Sequence, residues 1–192
     1  MDDRGMRMTL RAIVVAILLG CAAAAPNAAQ QPAPSRAPDV VFVPTPSDVV
    51  DAMLKLAKVT SSDVVYDLGS GDGRVLIAAA KMYGARGVGI DIDPERVREG
   101  SANAQSNNVA DKVTFRQDDL FTADISPATV VMLYLSPTVN SRLAPKLMKD
   151  LKPGTRIVSH AFDLGSWKPQ QRITVNDRPI FLWTVAPPSG RK

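Results

Sequence analysis

Asp67-Leu68-Gly69-Ser70-Gly71-Asp72-Gly73 follows the apolar run Val64-Val65-Tyr66 and precedes helical spacing from about Arg74 to Met82. Glycines let the backbone turn sharply and approach a ligand with no side chain between them. A buried strand that ends in such a loop and feeds a helix is a unit of an open α/β sheet. Such sheets hold ligands beyond the carboxyl ends of their strands. The glycines here are evenly spaced, whereas dinucleotide-binding loops leave two residues before the last. That spacing disfavours an NAD dehydrogenase.

The rest of the chain repeats the alternation. Thr45 reads as a helix N-cap with Pro46 at the first helical position, and Val49, Val50, Met53, Leu54 and Ala57 recur at helical spacing. Arg86 to Asp91 is the next strand, and Asp93-Pro94 starts a helix that fades near Asn107-Asn108. Val113 to Phe115 is a short strand, and Thr129 to Leu135 a longer apolar one. Pro137 to Leu151 carries helical spacing, and Arg156 to Ser159 is a strand. This order predicts a mostly parallel sheet with helices on both faces. Arg172 to Val175 and Ile180 to Val185 are separated only by Asn176-Asp177-Arg178-Pro179, too short for a crossover, so they predict a terminal antiparallel hairpin. The expected fold is a Rossmann-like, seven-stranded α/β domain over residues 40–192.

Two segments precede it. Arg4, Arg7 and Arg11 followed by the apolar Ala12 to Leu19 read as a targeting leader over residues 1–25. Leu18-Leu19-Gly20-Cys21 resembles a lipobox, and Ala23-Ala24-Ala25 offers a signal-peptidase site. An uncleaved anchor would also export the domain. Residues 26–39, rich in Ala, Gln and Pro, read as a flexible tether. The leader predicts an exported, periplasmic or lipoprotein-type location, with membrane attachment through Cys21 or the apolar segment. An unused leader would leave the protein cytoplasmic.

Cys21 is the only cysteine and His160 the only histidine, so a Cys/His zinc site lacks its ligands. No metal is expected. The folded domain has no thiol, which excludes cysteine-dependent attack on a nucleic-acid base. The net charge is +4, and its Lys and Arg are dispersed among acids rather than gathered in a stripe. No nucleic-acid partner is expected, and the chain is expected to be a monomer.

Acids close three successive strands. Asp67 stands before the first glycine, Asp91 ends the second strand 24 residues later, and Asp118-Asp119-Leu120 follows the third. A carboxylate at Asp91 can accept from two ribose hydroxyls. Asp119, just before Leu120, can meet an adenine amino group, while Asp118 reads as solvated. Asp67 can accept from an ammonium, directly or through water. Asp93 is explained as a helix cap. An ammonium, a ribose and an adenine, with no pyrophosphate, describe S-adenosylmethionine. The expected cofactor-binding residues are Asp67, Gly69, Ser70, Gly71, Gly73, Asp91, Ile92, Asp119 and Leu120.

Asp67 to Gly73 resembles motif I of class I S-adenosylmethionine-dependent methyltransferases, Asp91 the acid that follows it, and Asp119 motif II. A narrower similarity lies in Phe42-Val43-Pro44, Gly69 to Arg74, Ile77 to Lys81, Asp119-Leu120, Trp167 and Pro169. These are similar to the mitochondrial protein-lysine methyltransferases that modify the ADP/ATP translocase and the membrane-ring protein of ATP synthase. The chain departs from that group at Asp91, where the group has Glu, and at Ala161, where the group has Arg. The tail after Trp183 is also short.

The resemblance implies methyl transfer to a lysine amine of a protein. A small-molecule methyltransferase and a non-catalytic, exported S-adenosyl-ligand-binding module are the alternatives. In-line transfer to a neutral amine needs no dedicated base. Tyr134 and Ser136, after the fourth strand, are the candidates for orienting the acceptor, and Tyr134 packed beneath its loop is the alternative. The Asn-Pro-Pro-aromatic signature of adenine and glutamine N-methyltransferases is missing. His160 follows the fifth strand, where it either assists proton transfer or serves as hydrogen-bonded structure. Trp167 and Trp183 read as core or channel walls.

Overall fold

The computed structural model describes residues 36–187, so readings of the leader and Cys21 lie outside the described residues. Seven strands form one sheet: β1 (Val64–Leu68), β2 (Arg86–Asp91), β3 (Val113–Gln117), β4 (Val130–Leu133), β5 (Arg156–His160), β6 (Gln171–Val175) and β7 (Arg178–Thr184). Four helices, α1 (Ser47–Leu56), α2 (Arg74–Tyr83), α3 (Pro94–Ser106) and α4 (Pro137–Asp150), complete the fold. The strand order is β3-β2-β1-β4-β5-β7-β6. All neighbours are parallel except β7, which runs antiparallel to both β5 and β6.

Alternate side chains of each central strand enter opposite faces, as the pleat requires. Val65, Val130, Met132, Val158 and Ile180 pack under α1 and α2. Tyr66, Leu68, Val131, Leu133, Ile157 and Trp183 pack against α4. Trp183 is fully buried and its Nε1 donates to the Trp167 carbonyl at 2.7 Å, so its place is the core. Order reverses between β1 and β4, and their ends lie together, Leu68 beside Leu133. A crevice opens at such a reversal because successive helices leave in opposite directions.

Four boundaries differ from expectation. α1 starts at Ser47, with Pro46 as a cap that makes no side-chain bond. Thr45 is instead buried, its carbonyl accepting from Arg74 Nη1 at 3.0 Å. Pro46 is itself extended, at ψ 148°, which sets the later start. β4 ends at Leu133, leaving Tyr134 and Leu135 in the loop beyond it. The terminal hairpin turns on two residues only, Asn176 and Asp177, at φ 46° and 61°. A two-residue hairpin loop of type I′ has φ > 0 at both positions, which Asn and Asp tolerate, so Pro179 falls inside β7.

The fourth concerns the chain entry. Residues 36–39, read as the end of a flexible tether, are docked on the domain through Arg36 and Asp39. Charge pairing, invisible to composition, fixes them.

Candidate functional site

The loop after β1 is closed by two bonds to β2: Gly69 N and Ser70 N both donate to the Ile90 carbonyl, at 2.8 and 3.1 Å. Gly71 has φ 52°, and a Cβ there would stand 2.2 Å from the Phe42 ring. Glycine is therefore required twice over, for the left-handed backbone and for the ring pressed onto it.

A cavity lies above this loop at the carboxyl ends of β1, β2 and β4. Asp67, Gly69, Ser70, Asp91, Ile92, Leu120 and Tyr134 all line it. Gly71, Gly73, Asp119 and Ser136 do not. Ser136 is accounted for as the N-cap of α4, accepting from Val139 N at 3.3 Å.

Asp67 is the least satisfied charge in the site. It is 5% exposed, and no hydrogen bond reaches its carboxylate from the described residues. Burial pushes its pKa well above the usual carboxylate range, and the charges of Asp91 and Asp72 push in the same direction. A buried carboxylate facing a cavity without a partner fits an incoming ammonium. Ser70 Oγ is likewise buried without a partner among the described residues.

Asp91 is half engaged. Its Oδ2 accepts from Gly71 N at 2.9 Å and its Oδ1 from Asp93 N at 3.0 Å. Burial raises its pKa despite those two bonds. Both oxygens keep lone-pair capacity for hydroxyl donors. Asp93 caps α3 as expected, accepting from Glu95 N at 2.8 Å.

Beyond β3 the two neighbouring acids have different surroundings. Asp118 lines the cavity. Asp119 accepts from Arg36 Nε at 2.8 Å, from Arg36 Nη2 at 3.0 Å and from Phe121 N at 2.9 Å. The Arg36 bond holds the Asp119 carboxyl below the usual range.

Residues 36–45 form a strap along the cavity; Phe42-Val43-Pro44 carried part of the family resemblance, but no place in the site was read for them from the sequence. Phe42 lies on Gly71 and beneath the Arg96 guanidinium, 5.1 Å from ring centroid to Cζ. Arg36 and Arg142 both approach the Phe121 ring, at 5.5 and 4.3 Å. The signal available was the apolar run Val40 to Val43 directly after a polar, proline-rich stretch. The exposure of Val41 and Val43, 87% and 56%, shows that this run is not simply core.

The cavity's charge is lopsided. Six carboxylates (Asp39, Asp67, Asp72, Asp91, Asp93, Asp118) line it against three guanidiniums, those of Arg36, Arg74 and Arg96. Each of the three is already paired with acids: Arg36 with Asp119 and Asp39, Arg74 with Asp72, and Arg96 with Glu99. The far end is apolar, with Met53, Leu133, Leu135 and Val139 beside Tyr134.

Comparison with known proteins agrees with this geometry. Residues 67–171 match the family described as the ANTKMT methyltransferase domain. A protein-lysine N-methyltransferase of Saccharolobus islandicus is 49% identical over 79% of this chain and 97% of its own. The adenine nucleotide translocase lysine N-methyltransferase of Mus musculus is 30% identical over 68% of this chain. Only 56% of that longer protein is covered. A crystal structure described as an RNA methyltransferase of Salinibacter ruber, in complex with S-adenosyl-L-homocysteine, is 53% identical. It superposes with a TM-score of 0.75 over 78% of this chain and 98% of its own.

Proposed function

The chain belongs to the ANTKMT methyltransferase family, and from that premise we propose that its methyl acceptor is a lysine side chain of a protein. It is an S-adenosylmethionine-dependent methyltransferase with a Rossmann-like fold. The observation that carries the lysine reading is a cavity lining in which every guanidinium is already paired with an acid, so that no free cation awaits a polyanion. A lysine side chain meets no unpaired cation there, whereas RNA, a polyanion, finds none to hold it.

Bound S-adenosylmethionine supplies a methyl group made electrophilic by its sulfonium. Asp67 holds the amino-acid ammonium, and Asp91 accepts from the ribose hydroxyls. Ser70, Ile92 and Leu120 complete the wall of that subsite. Asp118, which lines the cavity where Asp119 does not, would face the adenine, and Asp119 would hold Arg36 beside it. A lysine reaches the site as ammonium, against a free pKa of about 10.4, and must lose its proton before it attacks. Burial against Leu133, Leu135 and Val139 favours the neutral amine, and the proton leaves to water. Tyr134 orients that amine. Alignment is the main contribution of the protein, worth roughly 7–11 kcal/mol in a well-oriented transfer.

We also propose that the segment before residue 36 exports or anchors the domain, and that the domain acts as a monomer. Fractionating cells and sequencing the mature N-terminus by mass spectrometry tests the first point, with an unprocessed cytoplasmic protein against it. Light scattering tests the second.

The test of the acceptor is direct. The full chain is incubated with methyl-labelled S-adenosylmethionine and, in parallel, a membrane-protein extract and total RNA. Label on lysine side chains is expected, rising with pH as the amine becomes neutral. Label confined to RNA or to small metabolites overturns the lysine assignment.

A further inference from the structure

His160 ends β5 at 2% exposure, and the chemistry described so far leaves it without a task. Its Nδ1 is buried and has no partner among the described residues. With no polar partner there, the imidazole acts through its ring faces, so the rings packed against it decide what it can do.

The nearest of those rings is Tyr134. The His160 ring centroid lies 3.9 Å from that of Tyr134, with a tilt of 35°. Tyr134 also stacks on Phe162, at 6.5 Å and 17°. Tyr134 lines the apolar end of the cavity, and its hydroxyl makes no hydrogen bond to the described residues. Two rings thus brace a phenol whose hydroxyl is left free.

The turn that carries both rings is held from several sides. Asn140 Nδ2, on α4, lies within hydrogen-bond distance of Ser159 Oγ (3.2 Å) and of the carbonyls of Phe162 (3.1 Å) and Asp163 (3.0 Å). Ser159 Oγ donates to the Phe162 carbonyl at 2.6 Å. Between His160 and Phe162, Ala161 takes φ 66°, a left-handed conformation that costs a non-glycine residue energy. Its N–H donates to the Pro179 carbonyl at 2.8 Å. A strained residue pinned by such a network sets the two flanking rings against Tyr134.

We propose that His160 is a positioning residue for methyl transfer, bracing the Tyr134 phenol so that its hydroxyl meets the acceptor amine in one orientation. The inference rests on Tyr134 orienting the acceptor. Burial lowers the pKa of His160, the Arg178 charge on β7 adds to that, and Asp48 on α1 opposes it. The ring is therefore neutral at pH 7 and stacks without placing a second cation near the sulfonium.

The experiment is a double-mutant cycle on the full chain: His160→Gln, His160→Phe, Tyr134→Phe, and His160→Gln with Tyr134→Phe. The readout is the initial rate of labelled methyl transfer to a membrane-protein extract, with S-adenosylmethionine varied to separate KM from kcat. His160→Gln is expected to lower kcat about tenfold or more, as misplaced groups do. Its KM for S-adenosylmethionine should not move. His160→Phe, which keeps a ring, should recover most of the rate. In the Tyr134→Phe background His160→Gln should cost nothing further. An equal loss in both backgrounds would show that His160 acts elsewhere, and would overturn the inference while sparing Tyr134. A Tyr134→Phe variant at the wild-type rate would instead remove the orienting hydroxyl, and His160 with it. A second measurement needs no turnover: with 13C-labelled tyrosine, the Tyr134 ring signals should shift in His160→Gln. Unmoved signals would show that there is no brace.

Discussion

Arg36 grips both oxygens of Asp119, at 2.8 and 3.0 Å, across 83 residues of sequence. The pair fastens the entering chain to the loop beyond β3. Their side chains are 33% and 20% exposed, so solvent screens the attraction, and the pair is worth about 0.2–1 kcal/mol. Arg36→Gln should therefore leave the melting temperature nearly unchanged but accelerate hydrogen exchange at Val40 to Val43. High salt should do the same to the wild type. Unchanged exchange in Arg36→Gln would mean that Phe42 alone holds the strap.

Asp67 makes stability and ligand binding oppose one another. Its folded pKa is raised, by burial first, above an unfolded value of about 3.9. The ligand-free protein is thus most stable with Asp67 protonated, and it loses that contribution as pH rises from the unfolded pKa through the folded one. Asp67→Asn should flatten this decline and stabilise the free domain above it. The same variant should bind S-adenosylhomocysteine at least about tenfold more weakly, having lost its charge-assisted bond to the ammonium. Calorimetry at several pH values gives both readings. Wild-type affinity in Asp67→Asn would place the ammonium elsewhere.

Asp91→Ala should cost about 1–3 kcal/mol of S-adenosylhomocysteine affinity, the penalty of leaving buried hydroxyls unpaired. It also frees the N–H groups of Gly71 and Asp93, so some loss of melting temperature should accompany it. Isothermal titration with the fold verified by circular dichroism separates the two. Full affinity would show that other groups hold the ribose.

Gly71→Ala combines a left-handed φ of 52° with a Cβ 2.2 Å from Phe42. Gly154→Ala is its control, since φ is 87° there and no atom lies within 4 Å. The control should lose only the backbone term, about 1–2 kcal/mol of stability. Gly71→Ala should lose more, displace Phe42 and weaken S-adenosylhomocysteine binding. Equal losses in the two variants would mean that Phe42 yields without cost.

Local chemistry made the sheet and its loop legible. Alternation of apolar runs with helical spacing marked the elements, because burial on both faces leaves a strand few other compositions. Gly69, Gly71 and Gly73 marked the turn, because few other residues tolerate those backbone angles. The same reading misplaced the first residue of α1, the turn before β7 and the end of the tether. Each is decided by a partner distant in sequence or by a turn type that spacing does not reveal.

From the sequence came the fold class, carried by the alternation of elements and the terminal hairpin, and the S-adenosyl ligand with the roles proposed for Asp67 and Asp91, carried by residues within a strand and its following loop. Tertiary structure alone decided that Arg36 would close on Asp119 and that Phe42 would lie on Gly71. It alone set His160 against Tyr134, by laying β5 beside β4. The physical reason is range. Backbone preference and hydrophobic period act over a few residues and are written in order along the chain. Charge pairing, ring stacking and desolvation act between side chains whose neighbours exist only once the sheet has formed.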